Sequence, residues 1–157
     1  MSVAVINWVG TLALLGILAR LSYVDWKTYR LPNLYTKGLI ALGLLYNFYV
    51  SLDAYPFLLG AVLGYALFWC VETAYRLIRK RDGLGRGDAK LLAAGGAWCG
   101  AMALPFIILL ASSAGLIYVL SRPPEQRSQI VLAFGPFLAA GIAITFIALK
   151  FIQPYSA

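Results

Sequence analysis

The stretch KLLAAGGAWCGAMALPFIILLASSAGLIYVL, residues 90–120, carries one charge, at its first position. A helix crosses the hydrocarbon core of a bilayer in roughly 20 residues. The run is therefore too long for a single span. Gly100 and then Pro105 interrupt it. Proline lacks the N–H that a helix interior needs, and glycine favours the position just past a helix end. The run predicts two transmembrane helices with their junction between Gly100 and Pro105. The first of the two is rich in small residues: Ala93, Ala94, Gly95, Gly96 and Ala97. Small faces let helices approach closely in lipid, where packing rather than water exclusion drives association. That places this helix at the centre of a bundle.

Working outward, further apolar runs cover about 3–24, 34–52, 56–78 and 130–152, with short polar breaks between them. A loop is expected over 121–129, where Pro123-Pro124 blocks helix continuation. Gly135-Pro136 is expected to kink the last helix. Residues 1–18 show no basic leader region and no small-residue cleavage site after it, so they are read as a retained first helix. The composition agrees: 62% of the 157 residues are hydrophobic and only 12% are charged, where an average soluble chain has roughly a quarter charged. The expectation is an all-α polytopic membrane protein, a bundle of about six transmembrane helices forming one domain over 1–157. No internal repeat is visible.

A net charge of +7 would suggest nucleic acid in a soluble protein. Here the basic residues flank apolar spans, which points to membrane lipids as the partner and away from nucleic acid. With the amino terminus outside, the loops after helices one, three and five are cytoplasmic. Lys27, Arg30 and Lys37 sit in the first; Arg76, Arg79, Lys80, Arg81, Arg86 and Lys90 in the second; Arg122 and Arg127 in the third. Arg20 lies near the inner end of helix one. Of the 13 basic residues only Lys150 falls on the other side. Such asymmetry orients the bundle with these loops in the cytoplasm and both chain ends outside.

The chain has no histidine, which excludes Ser-His-Asp and Cys-His catalysis. Cys70 and Cys99 form no CxxC pair and read as small buried hydrophobes. No phosphate-binding glycine loop followed by Lys-Ser/Thr is present. No metal and no other cofactor is expected. Acid–base chemistry then falls to carboxylates, Lys, Tyr or Cys, and the chain has six acidic residues. Glu72 and Arg76, at i and i+4, are expected to pair with each other. Asp53 fits turn chemistry before Pro56, Asp82 a solvated loop. Asp25 and Asp88 differ: the topology puts both at the inner ends of helices one and four, at one depth on one face. Two carboxylates in one site do not both ionise cheaply. Such a pair activates water with its ionised member and protonates the substrate with the other. Gly83, Gly85 and Gly87 permit positive φ and close approach of an extended peptide. Asp88 can also serve as the cap of helix four.

The motif Gly-x-Gly-Asp-x-Lys-Leu, residues 85–91, resembles the signature of the type IV prepilin peptidases, a family of GxGD intramembrane aspartyl proteases. The continuation Leu91-Leu92-Ala93-Ala94-Gly95-Gly96-Ala97-Trp98 is also similar. So are Asp25 followed by Arg30-Leu31-Pro32-Asn33, Leu104-Pro105, Ser112-Ser113-Ala114-Gly115 and Phe134-Gly135-Pro136-Phe137-Leu138-Ala139. The matches run in the family's order along nearly the whole chain. The resemblance implies that Asp25 and Asp88 are the catalytic pair, with Gly85, Gly87, Lys90, Pro32 and Asn33 binding substrate or shaping the site. It implies removal of a short basic leader from prepilins or pseudopilins, at the cytoplasmic face of the bacterial inner membrane. Larger bifunctional members carry an amino-terminal segment with paired cysteines linked to N-methylation. This chain lacks those cysteines, so the resemblance implies the stand-alone peptidase form. Asn33 replaces an Asp of the larger members, and Ala133 stands where Pro is frequent. The alternative function is a non-catalytic membrane subunit of a pilus or secretion system. A transporter is disfavoured, because the two halves lack matching broken helices.

Overall fold

The structure is a computed structural model that describes residues 3–51, 53–79, 85–127 and 132–152. Lys80, Arg81, Asp82 and Gly83 lie outside the described residues, as does the expected start of the last span. Among the described residues the fold is all-α. The helices are α1 (Val3–Thr28), α2 (Asn33–Ser51), α3 (Tyr55–Arg79), α4 (Arg86–Cys99), α5 (Leu104–Leu120), the short α6 (Pro124–Arg127) and α7 (Gly135–Ile152). A single 3-10 turn, Ala101–Ala103, joins α4 to α5. Three stretches are long and apolar enough to cross a membrane: Val5–Thr28, Tyr55–Ile78 and Ala101–Leu120. Gly135–Phe151 is apolar but shorter. The chain is a multi-pass helical membrane protein.

Helix α4 is the core of the bundle. Its 14 residues extend about 21 Å at 1.5 Å per residue, less than the ~30 Å hydrocarbon core. It packs against α2, α3, α5 and α7, and every residue from Leu91 to Gly100 is buried. The small side chains allow this. A Cβ on Gly60 of α3 would stand 2.5 Å from the Gly96 carbonyl oxygen, and one on Gly64 would stand 2.7 Å from the Leu92 carbonyl oxygen. Non-bonded carbon contacts prefer ~3.5–4.0 Å, and backbone atoms cannot step aside. Four residues apart on α3, the two glycines let the helix backbones touch.

A helix that ends inside the bundle leaves carbonyls that lipid cannot satisfy. Asn47 of α2 supplies the donors: its Nδ2 bonds to the carbonyls of Ala97 (2.9 Å), Trp98 (3.3 Å) and, in its own helix, Gly43 (3.0 Å). In return Trp98 Nε1 donates to the Leu39 carbonyl at 2.8 Å. Gly100 turns the chain with φ +83°, a value glycine adopts without penalty, and Pro105 falls in the first turn of α5. The junction lies where the sequence puts it.

Other boundaries differ from expectation. Helix α1 continues to Thr28, so Asp25 lies within it. It stops at Tyr29, which takes a left-handed conformation with φ 52°; Pro32 then disfavours helix at Leu31. Pro124 does not merely block a helix but opens the single turn α6. Pro136 does not kink the last helix, because α7 begins at Gly135. In both cases proline sits in a first turn, where its missing N–H has no intrahelical partner to lose. As expected, Asp53 makes a turn, accepting from the Tyr55 N–H at 3.1 Å. At the same end of the bundle Lys150 of α7 donates to the Asn7 carbonyl (3.0 Å) and the Thr11 hydroxyl of α1.

Replacing Gly96 with Leu forces the α3 and α4 backbones apart. It is expected to destabilise the bundle by about 3 kcal/mol. Thermal unfolding in detergent checks this, and an unchanged Tm contradicts the close crossing.

Candidate active site

The other end of the bundle gathers the carboxyl end of α1, the amino end of α2, the carboxyl end of α3 and the amino ends of α4 and α7. Asp25 projects from α1 and Asp88 from the first turn of α4. They stand close enough for their charges to interact. Two residues far apart in sequence thus share one site, and each is held by backbone from elsewhere.

Asp25 is buried, with 5% of its surface exposed. Its Oδ2 accepts from the Gly135 N–H at 3.0 Å. That N–H belongs to the first residue of α7, where helix N–H groups lack intrahelical acceptors and the helix dipole favours an anion. The approach leaves no room: a Cβ on Gly135 would lie 2.6 Å from Oδ2 and 2.9 Å from Cγ. The main chain of Asp25 is fixed as well, since its carbonyl accepts from the Tyr29 N–H at 2.8 Å. Left-handed geometry at a bulky residue costs about 1–2 kcal/mol, and here it closes the last turn of the helix that bears Asp25.

Asp88 is the third residue of α4, and the N-cap position is Gly85, which makes no side-chain cap. Asp88 is therefore not the N-cap residue. Its carboxylate instead reaches back to the Gly85 amide, the geometry of the far half of a capping box. Its own N–H donates to the Gly85 carbonyl at 2.9 Å.

The residues around Asp88 are tied down on three sides. A Cβ on Gly87 would stand 2.8 Å from Leu31 Cβ, so the α1–α2 connection lies directly against this turn. Lys90 Nζ donates to Asn33 Oδ1 at the start of α2. The Pro32 carbonyl accepts from the Thr36 N–H at 3.3 Å and so begins α2. Gly85, Gly87, Lys90, Pro32 and Asn33 thus lie together beside the carboxylates. On α3, Glu72 pairs with Arg76 as the i, i+4 spacing implies. It also faces Arg86 Nε at 3.6 Å, a contact that spacing within one helix does not announce.

Gly135 is the main residue that sequence reasoning misassigned. A signal existed: glycine followed by proline ahead of an apolar run reads as a helix start. That its N–H meets Asp25 is visible only in three dimensions. A pocket of about 40 Å³ is lined by Trp26, Tyr29, Tyr118, Leu132 and Ala133. Trp26 meets Tyr118 edge-on, with ring centroids 5.8 Å apart. Among the described residues, no three His, Cys, Asp or Glu side chains gather as a metal site would require.

Fold and site define a polytopic membrane protein with paired carboxylates at one end of a helical bundle. Residues 12–120 match the type IV leader peptidase family, and the chain belongs to that family. It is 44% identical over 126 residues to the prepilin leader peptidase/N-methyltransferase of Escherichia coli (strain K12), covering 79% of this chain and 56% of that protein. It is 42% identical over 140 residues to the protein of that name in Dickeya chrysanthemi, covering 86% and 49%. For the Neisseria gonorrhoeae protein of that name the identity is 38% over 148 residues, covering 90% and 50%. The chain spans about half the length of the curated relatives it matches. No solved structure matches it.

Gly135→Ala places a methyl group against the Asp25 carboxylate. It is expected to cost about 1–3 kcal/mol, and much less in an Asp25→Ala background, where Oδ2 and Cγ are gone. Thermal unfolding of the two single variants and the double measures this coupling. Equal costs in both backgrounds contradict the contact.

Proposed function

We propose that this chain is an intramembrane aspartyl endopeptidase. It removes the short basic leader from type IV prepilins or pseudopilins at the cytoplasmic face of the bacterial inner membrane. The observation that carries the reading is the placement of Asp25 and Asp88 at one end of the bundle, in a chain of the type IV leader peptidase family. The relatives named above are prepilin leader peptidases by description, which supports the substrate class.

The proposed chemistry needs only the pair. The ionised carboxylate takes a proton from water, and the resulting nucleophile adds to the scissile carbonyl carbon. The protonated carboxyl donates to the carbonyl oxygen as the tetrahedral intermediate forms. Collapse breaks the C–N bond, the departing amine takes up a proton, and the product carboxylate remains on the leader. Asp25, with the Gly135 N–H on Oδ2, has a fixed donor suited to the ionised form. A substrate helix has to unwind at the cut, since a helical peptide bond is hydrogen-bonded and shielded. The extended backbone at Gly85, just ahead of α4, is suited to receive the unwound strand.

The basic residues support the orientation. Arg30, Arg86 and Lys90 lie at the carboxylate end of the bundle and Lys150 at the other. In this reading the leader's positive charges stay at the cytoplasmic lipid surface, where anionic headgroups attract them, while its apolar segment enters beside α1 and α4. N-methyl transfer is assigned to none of these residues.

Asp25→Asn and Asp88→Asn are each expected to abolish cleavage of a purified prepilin in proteoliposomes while the protein stays inserted. Asn keeps the shape but cannot exchange the proton. Near-normal turnover in either variant removes that residue from the mechanism. No cleavage of prepilins or pseudopilins by the wild-type chain favours a non-catalytic assembly subunit.

The orientation has its own test. A cysteine placed at Asp53 is expected to react with an impermeant maleimide from outside the cell, and one at Arg81 only after the cells are opened. Labelling of Arg81→Cys from outside reverses the topology.

A further inference from the structure

Glu72 is a carboxylate near the inner end of a membrane span, with 4% of its surface exposed. Ionisable groups placed this way are costly and require partners. Arg76, one turn later on α3, is the local partner. The second is Arg86, whose Nε lies 3.6 Å from the same Oε1. Arg86 is the first residue of α4 and stands two positions before Asp88. The contact therefore reaches from α3 to the turn that presents one of the paired carboxylates. Lys90, two positions after Asp88, is tied to Asn33 of α2. Asp88 is thus bracketed by one polar tie to α3 and one to α2.

We propose that Glu72 is a positioning residue for Asp88, acting through Arg86: the buried Glu72 carboxylate anchors the Arg86 guanidinium and fixes the first turn of α4. This rests on the reading of Asp88 as a catalytic residue. The asymmetry of burial supports the direction of the effect. The Glu72 side chain is 6% exposed and packed in α3, whereas the Arg86 side chain is 67% exposed. The carboxylate is the fixed post and the arginine is what it holds. Without the post, α4 keeps its packing from Leu91 onward, because the buried small residues and Asn47 do not involve Glu72. What loosens is the orientation of the Asp88 carboxylate toward Asp25. Misplacement of a reacting group lowers the rate of the chemical step more than it weakens binding.

The test is a double-mutant cycle on prepilin cleavage by the full chain in proteoliposomes, measuring kcat, KM and Tm. Wild-type turnover and its loss in Asp88→Asn establish the underlying peptidase reading; if these fail, the inference falls with that reading. Given them, Glu72→Gln and Arg86→Gln are each expected to lower kcat about fivefold with KM within about twofold, and the double variant no further than the singles. Independent losses that multiply to about 25-fold overturn the coupling. So does a loss in Arg76→Gln with Arg86→Gln at the wild-type rate, because Glu72 then serves only its own helix. Should Glu72→Gln fail to fold, Arg86→Glu replaces it. Repulsion from Glu72 is expected to lower kcat further than Arg86→Gln does, and an equal or smaller loss overturns the proposal.

Discussion

A carboxylate buried at the end of a lipid-embedded bundle has to be compensated by groups that the rest of the fold holds in place. In this protein the compensating group for Asp25 is a main-chain N–H, that of Gly135, at 3.0 Å. A main-chain donor cannot rotate away, and one at the start of a helix has no competing acceptor inside that helix. The contact demands that α7 begin at residue 135, that this residue lack a side chain, and that α7 lie beside α1 with opposite direction. The Lys150 contacts with Asn7 and Thr11 hold the same two helices together at their other end. One hydrogen bond therefore sets where a helix starts and which residue starts it.

Asp88 is placed by different means. Its helix is short and central, and small side chains from Ala93 to Ala97 let neighbouring backbones close on it. The Gly60 and Gly64 face of α3 fixes its depth, and Asn47 satisfies the carbonyls at its carboxyl end. Its first turn, by contrast, meets Leu31, Asn33 and Glu72 through contacts at Gly87, Lys90 and Arg86. Packing positions the body of the helix and polar ties orient its tip. The division suits a lipid environment, where helix faces must be apolar and polar contacts are confined to the ends.

The two carboxylates consequently have unlike surroundings. Asp25 accepts from the first N–H of another helix and is nearly sealed; Asp88 is half-buried and accepts from the Gly85 amide just ahead of its own helix. Unlike environments are what separate the roles of two carboxyl groups in acid–base pairs. In the proposed mechanism that difference lets one member accept a proton and the other deliver one. The backbone strain at Tyr29 falls one turn after Asp25, where a left-handed residue ends the helix without displacing the carboxylate.

The helices are legible in the sequence because lipid imposes a simple rule: a run of apolar residues of sufficient length becomes a helix. The break at Gly100 and Pro105 follows from backbone chemistry alone, and so does the centrality of α4 from its small residues. That Asp25 and Asp88 stand at one end of the bundle is legible as well, since alternating helices bring the carboxyl end of α1 and the amino end of α4 to one side. What the sequence could not determine is which groups meet across helices. That Gly135 starts a helix and hands its N–H to Asp25, that Arg86 returns to Glu72, and that Leu31 lies against Gly87 all depend on how helices remote in sequence lean on one another. Helical periodicity reaches four residues and accounts for Glu72 with Arg76; the separation of 110 positions from Asp25 to Gly135 is bridged only by tertiary packing.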